Sequence, residues 1–283
     1  MGAAAEGVVV DPQTHIVAVG VRNPFALTLL DATTGAVLRT VGLPGGLRHL
    51  QLAAPGGPVL VPDEGANRLL RVALPGGEIT SQVVTGVVPH DATEAADGTV
   101  FVSNELGHSV VALRGDQIVH TFTDVVQPAG LAAAGDLVGL VDVRKNTLTV
   151  YDAHRLQQVA QLPAGTGPTH VIADKHGQLA VIDTRGGAVL RYALQPSVHQ
   201  IGKVTLPGTP YGVAYDPVRD RLWVTLTALN EVIGLNLSAG APVLATPLPT
   251  VRQPNTVAVD SSTGRVYVTG TAEGELEIIE GVP

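Results

Sequence analysis

The chain repeats a unit of about 40 residues seven times, and this repeat limits the possible folds most strongly. The clearest copy is 210–250, in which turn residues separate four short apolar runs, at 212–215, 222–226, 231–236 and 242–247. This pattern is typical of a four-stranded antiparallel meander, which cannot bury both of its faces alone. We therefore predict one all-β domain over 1–283, a seven-bladed β-propeller, with blades near 7–46, 47–88, 89–127, 128–167, 168–209, 210–253 and 254–283.

Composition supports this fold class and excludes several functions. Hydrophobic residues make up 45% of the chain beside 33 glycines and 20 prolines, which suits a core interrupted by many turns. A net charge of −8 without a basic run argues against a nucleic-acid surface. The absence of cysteine excludes disulfides, thiol nucleophiles and cysteine-based zinc sites. No apolar run approaches the roughly 20 residues of a membrane span.

The last unit is shorter than the others. After three predicted strands at 256–260, 265–270 and 275–280 the sequence ends, and residues 1–5 are too few and too small to supply a fourth. We predict a three-stranded seventh blade with an exposed edge at 275–280. Its four glutamates, Glu273, Glu275, Glu277 and Glu280, would discourage pairing along that edge.

Short motifs recur at the second strands. Phe101-Val102-Ser103-Asn104, Trp223-Val224-Thr225 and Tyr267-Val268-Thr269-Gly270 resemble the motif of the YVTN-repeat propellers, and the segment 63–72 resembles an NHL repeat. The resemblance implies a seven-bladed propeller and an extracytoplasmic location, whether periplasmic, cell-surface or secreted. The N-terminal MGAAAEG lacks the features of a signal peptide, so under this expectation the peptide has already been removed.

By analogy with the family, the starts of the first strands and the ends of the second strands surround one mouth of the central channel, the top face. The first ring holds Glu6, Arg48, His49, His90, Asp91, Ala129, Thr169, His170, Tyr211 and Asn255. The second ring holds Arg22, Asp63, Glu64, Asn104, Glu105, Asp142, Arg144, Asp183, Arg185, Thr227 and Thr271.

Histidines and acids of blades two and three form the first candidate site. Mixed imidazole and carboxylate ligands suit zinc, manganese or a related divalent ion, and an open position on the metal can activate water. The candidate ligands are His49, His90, Asp91, Glu64 and Glu105, with Asp63 beside them. The alternative is a set of polar residues that hydrogen-bond to one another at a solvated mouth. A divalent metal ion is the only cofactor that the sequence suggests.

Arginines of blades one, four and five form the second candidate site, which could hold a carboxylate or phosphate. Its predicted ligand-binding residues are Arg22, Arg144 and Arg185, with His170, Tyr211 and Asn255 from the first ring. The alternative is structural: the Asp-x-Arg spacing of Asp142 with Arg144 repeats in Asp183 with Arg185, which would suit salt bridges between blades.

These patterns favour a non-enzymatic binding or scaffold propeller of the YVTN type, whose top face accepts a small anionic ligand or a protein partner. The alternative is a metal-assisted hydrolase or lyase acting on a lactone or ester, as in propeller lactonases and streptogramin lyases. The chain has no G-x-S-x-G, H-E-x-x-H or P-loop signature. We expect no nucleic-acid partner and no membrane span.

Overall fold

The computed structural model describes residues 3–238 and 242–280 as β-strands joined by turns, with no helix among them. The strands form seven antiparallel sheets, each made from consecutive strands. First strands of successive sheets contact each other, and the last also contacts the first, which closes the ring. The predicted seven-bladed all-β propeller is thus confirmed. No helix capable of crossing a membrane occurs in the described part of the chain.

The strand bounds follow the repeat. Blade one contains β1 (Ala3–Asp11), β2 (Ile16–Asn23), β3 (Phe25–Asp31) and β4 (Val37–Gly42). Blade two contains β5 (Gln51–Leu52), β6 (Val59–Asp63), β7 (Arg68–Val72) and β8 (Ile79–Val84). Blade three contains β9 (Pro89–Glu94), β10 (Val100–Asn104), β11 (Ser109–Arg114) and β12 (Gln117–Phe122). Blade four contains β13 (Pro128–Ala134), β14 (Leu137–Asp142), β15 (Thr147–Asp152) and β16 (Gln157–Pro163).

The remaining blades differ in their outer strands. Blade five contains β17 (Pro168–Ala173), β18 (Gln178–Asp183), β19 (Ala188–Ala193) and β20 (His199–Thr205). Blade six contains β21 (Pro210–Asp216), β22 (Arg221–Leu226), β23 (Glu231–Asn236), β24 (Val243–Leu244) and β25 (Leu248–Pro249). Blade seven contains β26 (Pro254–Val259), β27 (Val266–Gly270) and β28 (Glu275–Ile279).

The fourth strand predicted at 242–247 in blade six is shorter than expected, since β24 covers only Val243–Leu244, and β25 at Leu248–Pro249 follows beyond the predicted run. Two short strands, β24 and β25, pair separately with β23. Pro247 lies between them and has no N–H to donate to the ladder, so it interrupts the pairing. The predicted run also begins next to 239–241, which lie outside the described residues.

Blade seven has three strands in the order β26, β27, β28, as predicted. The N-terminal β1 pairs with β2 of its own blade. Side chains make the closure between blades seven and one: Thr269 Oγ1 donates to Glu6 O at 2.7 Å, and the Tyr267 hydroxyl donates to Ala32 O at 2.6 Å. Tyr267 is fully buried in the core between these two blades.

The hydroxyls of the recurring motif have a common structural role. Ser103 Oγ donates to Ala129 O at 2.6 Å, and Thr225 Oγ1 lies 3.4 Å from Asn255 O. The hydroxyls of Ser103, Thr225 and Thr269 therefore each contact the first strand of the following blade. In blades three, six and seven the motif thus fixes the blade to its neighbour, which explains its repetition without a role in chemistry.

Candidate ligand site at the channel mouth

A break in strand register occurs where the first ring was predicted. The pairing of first and second strands shifts at Glu6, His90, Tyr211 and Asn255, and at the matching points of blades four and five. Such bulges re-aim side chains, and they are common beside functional sites. At Gly130 the bulge brings the backbone so near blade five that a Cβ would lie 3.0 Å from its main chain.

The predicted acids and arginines of blades one to three form one ion-paired network. Arg22 Nε lies 3.0 Å from Glu6, and its Nη2 lies 3.6 Å from Glu64. Arg48 lies 3.3 Å from Glu64 and 3.6 Å from Glu105. Glu6 also accepts a hydrogen bond of 3.2 Å from the predicted ligand residue Asn255. Arg48 thus joins carboxylates of two blades.

His90 completes this network. Its Nδ1 lies 3.4 Å from Glu64 Oε1 and 3.3 Å from Glu105 Oε2. Burial lowers the pKa of His90, but the two carboxylates outweigh burial and raise it to about 9. Contact with His90 is the main cause that lowers the pKa of the Glu105 carboxyl to about 2, against its own burial. The His90 imidazolium and the Glu105 carboxylate are therefore both charged at neutral pH.

Four aromatic rings cross the channel beside this network. His90 packs edge-to-face on His49 with centroids 4.6 Å apart, His49 packs on His170 at 4.7 Å, and His170 packs on Tyr211 at 4.5 Å. The row joins blades three, two, five and six. His170 thus reaches His49 of blade two across the channel, so the channel is narrow at this level.

His49 and His170 differ from His90 because no carboxylate accompanies them. Burial is the main cause that lowers the pKa of both, to about 3 for His170, and the charge on His90 adds to the effect. Both rings are therefore neutral. Their Nε2 atoms are buried without a hydrogen-bond partner among the described residues, whereas His170 Nδ1 lies 3.1 Å from Thr169 Oγ1.

A cavity of about 320 Å³ adjoins the histidine row within the channel. His49, His170 and Asp91 line it together with apolar residues of the first strands. Asp91 accepts hydrogen bonds from Leu131 N at 2.9 Å and from Gln51 Nε2 at 3.0 and 3.1 Å. Burial raises the pKa of the Asp91 carboxyl to about 6. Asp91 therefore faces the cavity, apart from the ion-paired network.

The structure does not form the suggested Asp-x-Arg salt bridges. Asp142 accepts backbone N–H groups of Val126 and Gln127 at 2.6 and 3.1 Å, and Asp183 accepts those of Thr166 and Gly167 at 3.0 and 2.9 Å. These aspartates fasten the loops between blades, because unpaired amides are costly to bury. Asp63 does the same for Gly45 N at 2.9 Å.

Arg144 and Arg185 are both exposed, and neither has a carboxylate partner in the described residues. Arg144 Nε donates to Gln127 Oε1 at 3.3 Å, and Gln127 Nε2 donates to Glu105 at 2.7 Å. On blade five, Thr169 and Thr184 hydroxyls lie 2.6 Å apart beside Arg185. Hydrogen bonds therefore connect Arg144 through Gln127 to Glu105, and Thr184 through Thr169 to His170.

Of the five predicted metal ligands, three come together. One ligand atom each from Glu64, His90 and Glu105 lies within 4.8 Å of the others. His49 contacts this group only through its ring, and Asp91 belongs to the cavity. Arg48 lies on the predicted first ring but was not predicted as a site residue. No motif in the sequence distinguishes Gln51 or Gln127, so neither was predicted.

Comparison with known proteins identifies the architecture. No protein-family model matches the chain, and no curated protein matches it. Solved structures do: hydrazine synthase of Kuenenia stuttgartiensis has a TM-score of 0.84 at 14% identity, covering 99% of this chain and 96% of the other. Virginiamycin B lyase from Staphylococcus aureus has a TM-score of 0.81 at 13% identity, covering 99% and 96%.

The propeller domain of Cps50 (Swd1) from Myceliophteria thermophila has a TM-score of 0.83 at 13% identity, covering 100% of this chain and 98% of the other. At such low identity the similarity establishes a shared fold, and a fold hosts many functions. The chain is therefore a seven-bladed β-propeller.

Proposed function

We propose that this protein is a non-enzymatic binding propeller of the YVTN type, and that its channel mouth takes a small anionic ligand. The contacts would come from blades two and four to six, with the imidazoles of His49 and His170 inside the channel and Arg144 and Arg185 outside it. Arg22, Tyr211 and Asn255 complete the mouth.

The observation that carries this proposal is the pair of neutral imidazoles. His49 and His170 are 7% and 8% exposed, and the Nε2 atom of each lacks a protein partner. Leaving a buried polar atom unsatisfied costs about 1–3 kcal/mol, so two such atoms beside one cavity favour a polar group between them. A ligand that bonds both nitrogens would recover this cost.

The anionic character of the ligand follows from the arginines. Arg22 and Arg48 already have carboxylate partners, whereas Arg144 and Arg185 have none among the described residues. Unpaired guanidinium groups on adjacent blades suit a carboxylate or phosphate. A small molecule is favoured over a protein partner because the two imidazoles are recessed within the channel.

Isothermal titration with citrate and with inorganic phosphate tests the proposal, together with native mass spectrometry of the freshly purified protein. We expect a small anionic adduct, and at least one probe should bind more weakly to Arg185→Ala and to His170→Gln. Arg155→Ala is the control, because Arg155 is 70% exposed and follows β15 at the other end of the blade. Absence of an adduct together with no binding of either probe would contradict the proposal.

The second candidate is a metal-assisted hydrolase or lyase, favoured by the close approach of Glu64, His90 and Glu105. His90 Nδ1 lies 3.4 Å from Glu64 and 3.3 Å from Glu105, which matches neighbouring ligands on one ion with bonds of about 2.0–2.2 Å. Arg48, however, lies 3.3 and 3.6 Å from the same two carboxylates. A divalent ion would have to bind beside this guanidinium and displace the His90 proton, so the residues fit an ion-paired network better.

Metal analysis after incubation with Zn²⁺ separates the two candidates. Without a metal site, wild-type protein and Glu105→Gln should retain the same substoichiometric zinc after desalting. One zinc per chain in wild type, lost in Glu105→Gln, would support the enzyme.

An extracytoplasmic location belongs to the same proposal and rests on the YVTN resemblance. Fractionation of the source cells tests it, with periplasmic, surface or secreted protein as the expected result. Recovery only with cytosolic markers would count against membership of the exported group.

A further inference from the structure

The outermost strand of blade seven is a third strand. β28 pairs with β27, and among the described residues no strand covers its other edge. Each of the other six sheets has a further strand outside its third one. The N–H and C=O groups along the outer edge of β28 are therefore available for pairing.

Because no fourth strand covers it, β28 is less buried than the third strands of other blades. The four central residues of β15 in blade four are buried, as are the first five of β19 in blade five. In β28 no residue is buried: Glu275 is exposed, and the next four are partly exposed. Leu276 and Ile278 thus keep apolar surface in water that a fourth strand would cover.

A groove of about 890 Å³ runs beside this edge. Leu30 and Val37 of blade one line it on one side, and Thr250 and Val251 line it on the other. Val37 is 56% exposed. A strand of five residues extends about 17 Å, so a short extended segment could pair along β28 between these walls.

The two faces of β28 differ in chemistry because side chains alternate along a strand. Leu276 and Ile278 pack towards blade one, so Glu275 and Glu277 lie on the opposite face. Glu277 accepts hydrogen bonds from Thr250 Oγ1 at 2.5 Å and Val251 N at 3.0 Å. Glu275 has no ion pair among the described residues.

We propose that the edge of β28 binds an extended basic segment of a partner protein, which adds to blade seven as an antiparallel fourth strand. Main-chain hydrogen bonds supply affinity in this mode of recognition, and alternate side chains supply specificity. Apolar residues of the segment lie beside Leu276 and Ile278, and lysines or arginines lie beside Glu275 and Glu277. Opposite charges across neighbouring strands stabilise the pairing.

The same charges select against a second copy of this chain. Two β28 edges in antiparallel contact would bring their glutamates together, and like charges on neighbouring strands are destabilising. Charge complementarity thus favours a basic partner strand over self-association. This site lies apart from the channel mouth and is independent of the proposed ligand.

Two labelled peptides test the proposal by fluorescence anisotropy: one alternates lysine with valine over six residues, and the other replaces each lysine with glutamate. We expect the basic peptide to bind the wild-type protein at least tenfold more tightly than the acidic one, a difference of about 1.4 kcal/mol. Glu275→Lys should reverse or abolish this preference. Because Glu275 is exposed, the variant is expected to fold.

Glu78→Lys is the matched control, since Glu78 is an exposed acid on blade two with 63% of its side chain accessible. It should leave binding of the basic peptide unchanged. Equal binding of the two peptides, no binding of the basic one, or undiminished binding to Glu275→Lys would overturn the proposal. So would a dimer in light scattering that Glu275→Lys alters, because a second copy would then occupy the edge.

Discussion

The two halves of the channel mouth use similar residues in opposite ways. In blades one to three, Glu6, Glu64 and Glu105 are matched by Arg22, Arg48 and His90, so the charges balance within the protein. Beside the cavity, the buried Nε2 atoms of His49 on blade two and His170 on blade five have no hydrogen-bond partner in the described chain, and the exposed guanidinium of Arg185 on blade five forms no ion pair there.

The comparison indicates that the density of charged residues is a poor guide to a binding site. The half with most charge balances its charges by ion pairs between blades, although Arg22 Nε, Glu64 Oε1 and His90 Nδ1 form no hydrogen bond of good geometry in the part of the chain that the structure describes. In the half with fewer charged residues, the Nε2 atoms of His49 and His170 have no hydrogen-bond partner among the described residues, which favours the proposed ligand there. We therefore expect substitutions in the first half to alter stability, and those in the second to alter binding.

Removal of Glu64 should produce the largest effect. Glu64→Ala leaves Arg22, Arg48 and His90 with less compensating charge at a site only 12% exposed. We expect the free energy of unfolding to fall by about 2–3 kcal/mol, because the site is partly buried and this value lies between the losses typical of exposed and of buried ion pairs. Urea denaturation measures it, with Glu78→Ala as the exposed control. An unchanged midpoint would mean that the network does not stabilise the ring.

The pH dependence of stability should differ in sign between the halves. His90 has a folded pKa of about 9, above the ordinary 6.5, so its contribution is complete below pH 6.5 and is lost as the pH rises through 9. His170 has a folded pKa of about 3, so its contribution is complete above pH 6.5 and is lost as the pH falls towards 3.

Urea midpoints at about pH 5, 6.5 and 9 check this prediction. His90→Gln should flatten the alkaline decline, and His170→Gln should flatten the acidic one. His199→Gln, at an exposed position, is the control. If the urea midpoint depends on pH in the same way in both variants, His90 and His170 do not differ as proposed.

The smallest effect on stability is expected for the exposed arginines. Arg144→Ala and Arg185→Ala should change the free energy of unfolding by no more than about 0.5 kcal/mol, because neither forms an ion pair in the described residues. The same variants should weaken citrate or phosphate binding in calorimetry. Loss of stability without loss of binding would assign these arginines to the scaffold.

The sequence predicted the fold well because the repeat carries the information seven times. Ser103, Thr225 and Thr269 mark second strands, and the short last unit correctly predicted a three-stranded blade. The two short outer strands of blade six were missed, since the apolar run at 242–247 shows neither that β24 ends at Leu244 nor that β25 pairs with β23 after Pro247.

The site was harder to predict because its function depends on pairing across blades. Nothing in the local sequence shows that Arg48 reaches Glu64 and Glu105, or that Asp142 accepts backbone amides instead of pairing with Arg144. His49 and His90 look alike in sequence. Neighbouring carboxylates raise the pKa of His90, whereas burial lowers the pKa of His49.

Histidine ring ¹⁵N chemical shifts followed through a pH titration test the division of the mouth most directly, with signals assigned from His49→Gln, His90→Gln and His170→Gln. We expect His90 to remain an imidazolium until near pH 9, while His49 and His170 remain neutral below pH 6.5. A His90 that titrates near the ordinary 6.5, or a His170 that is protonated at that pH, would contradict it.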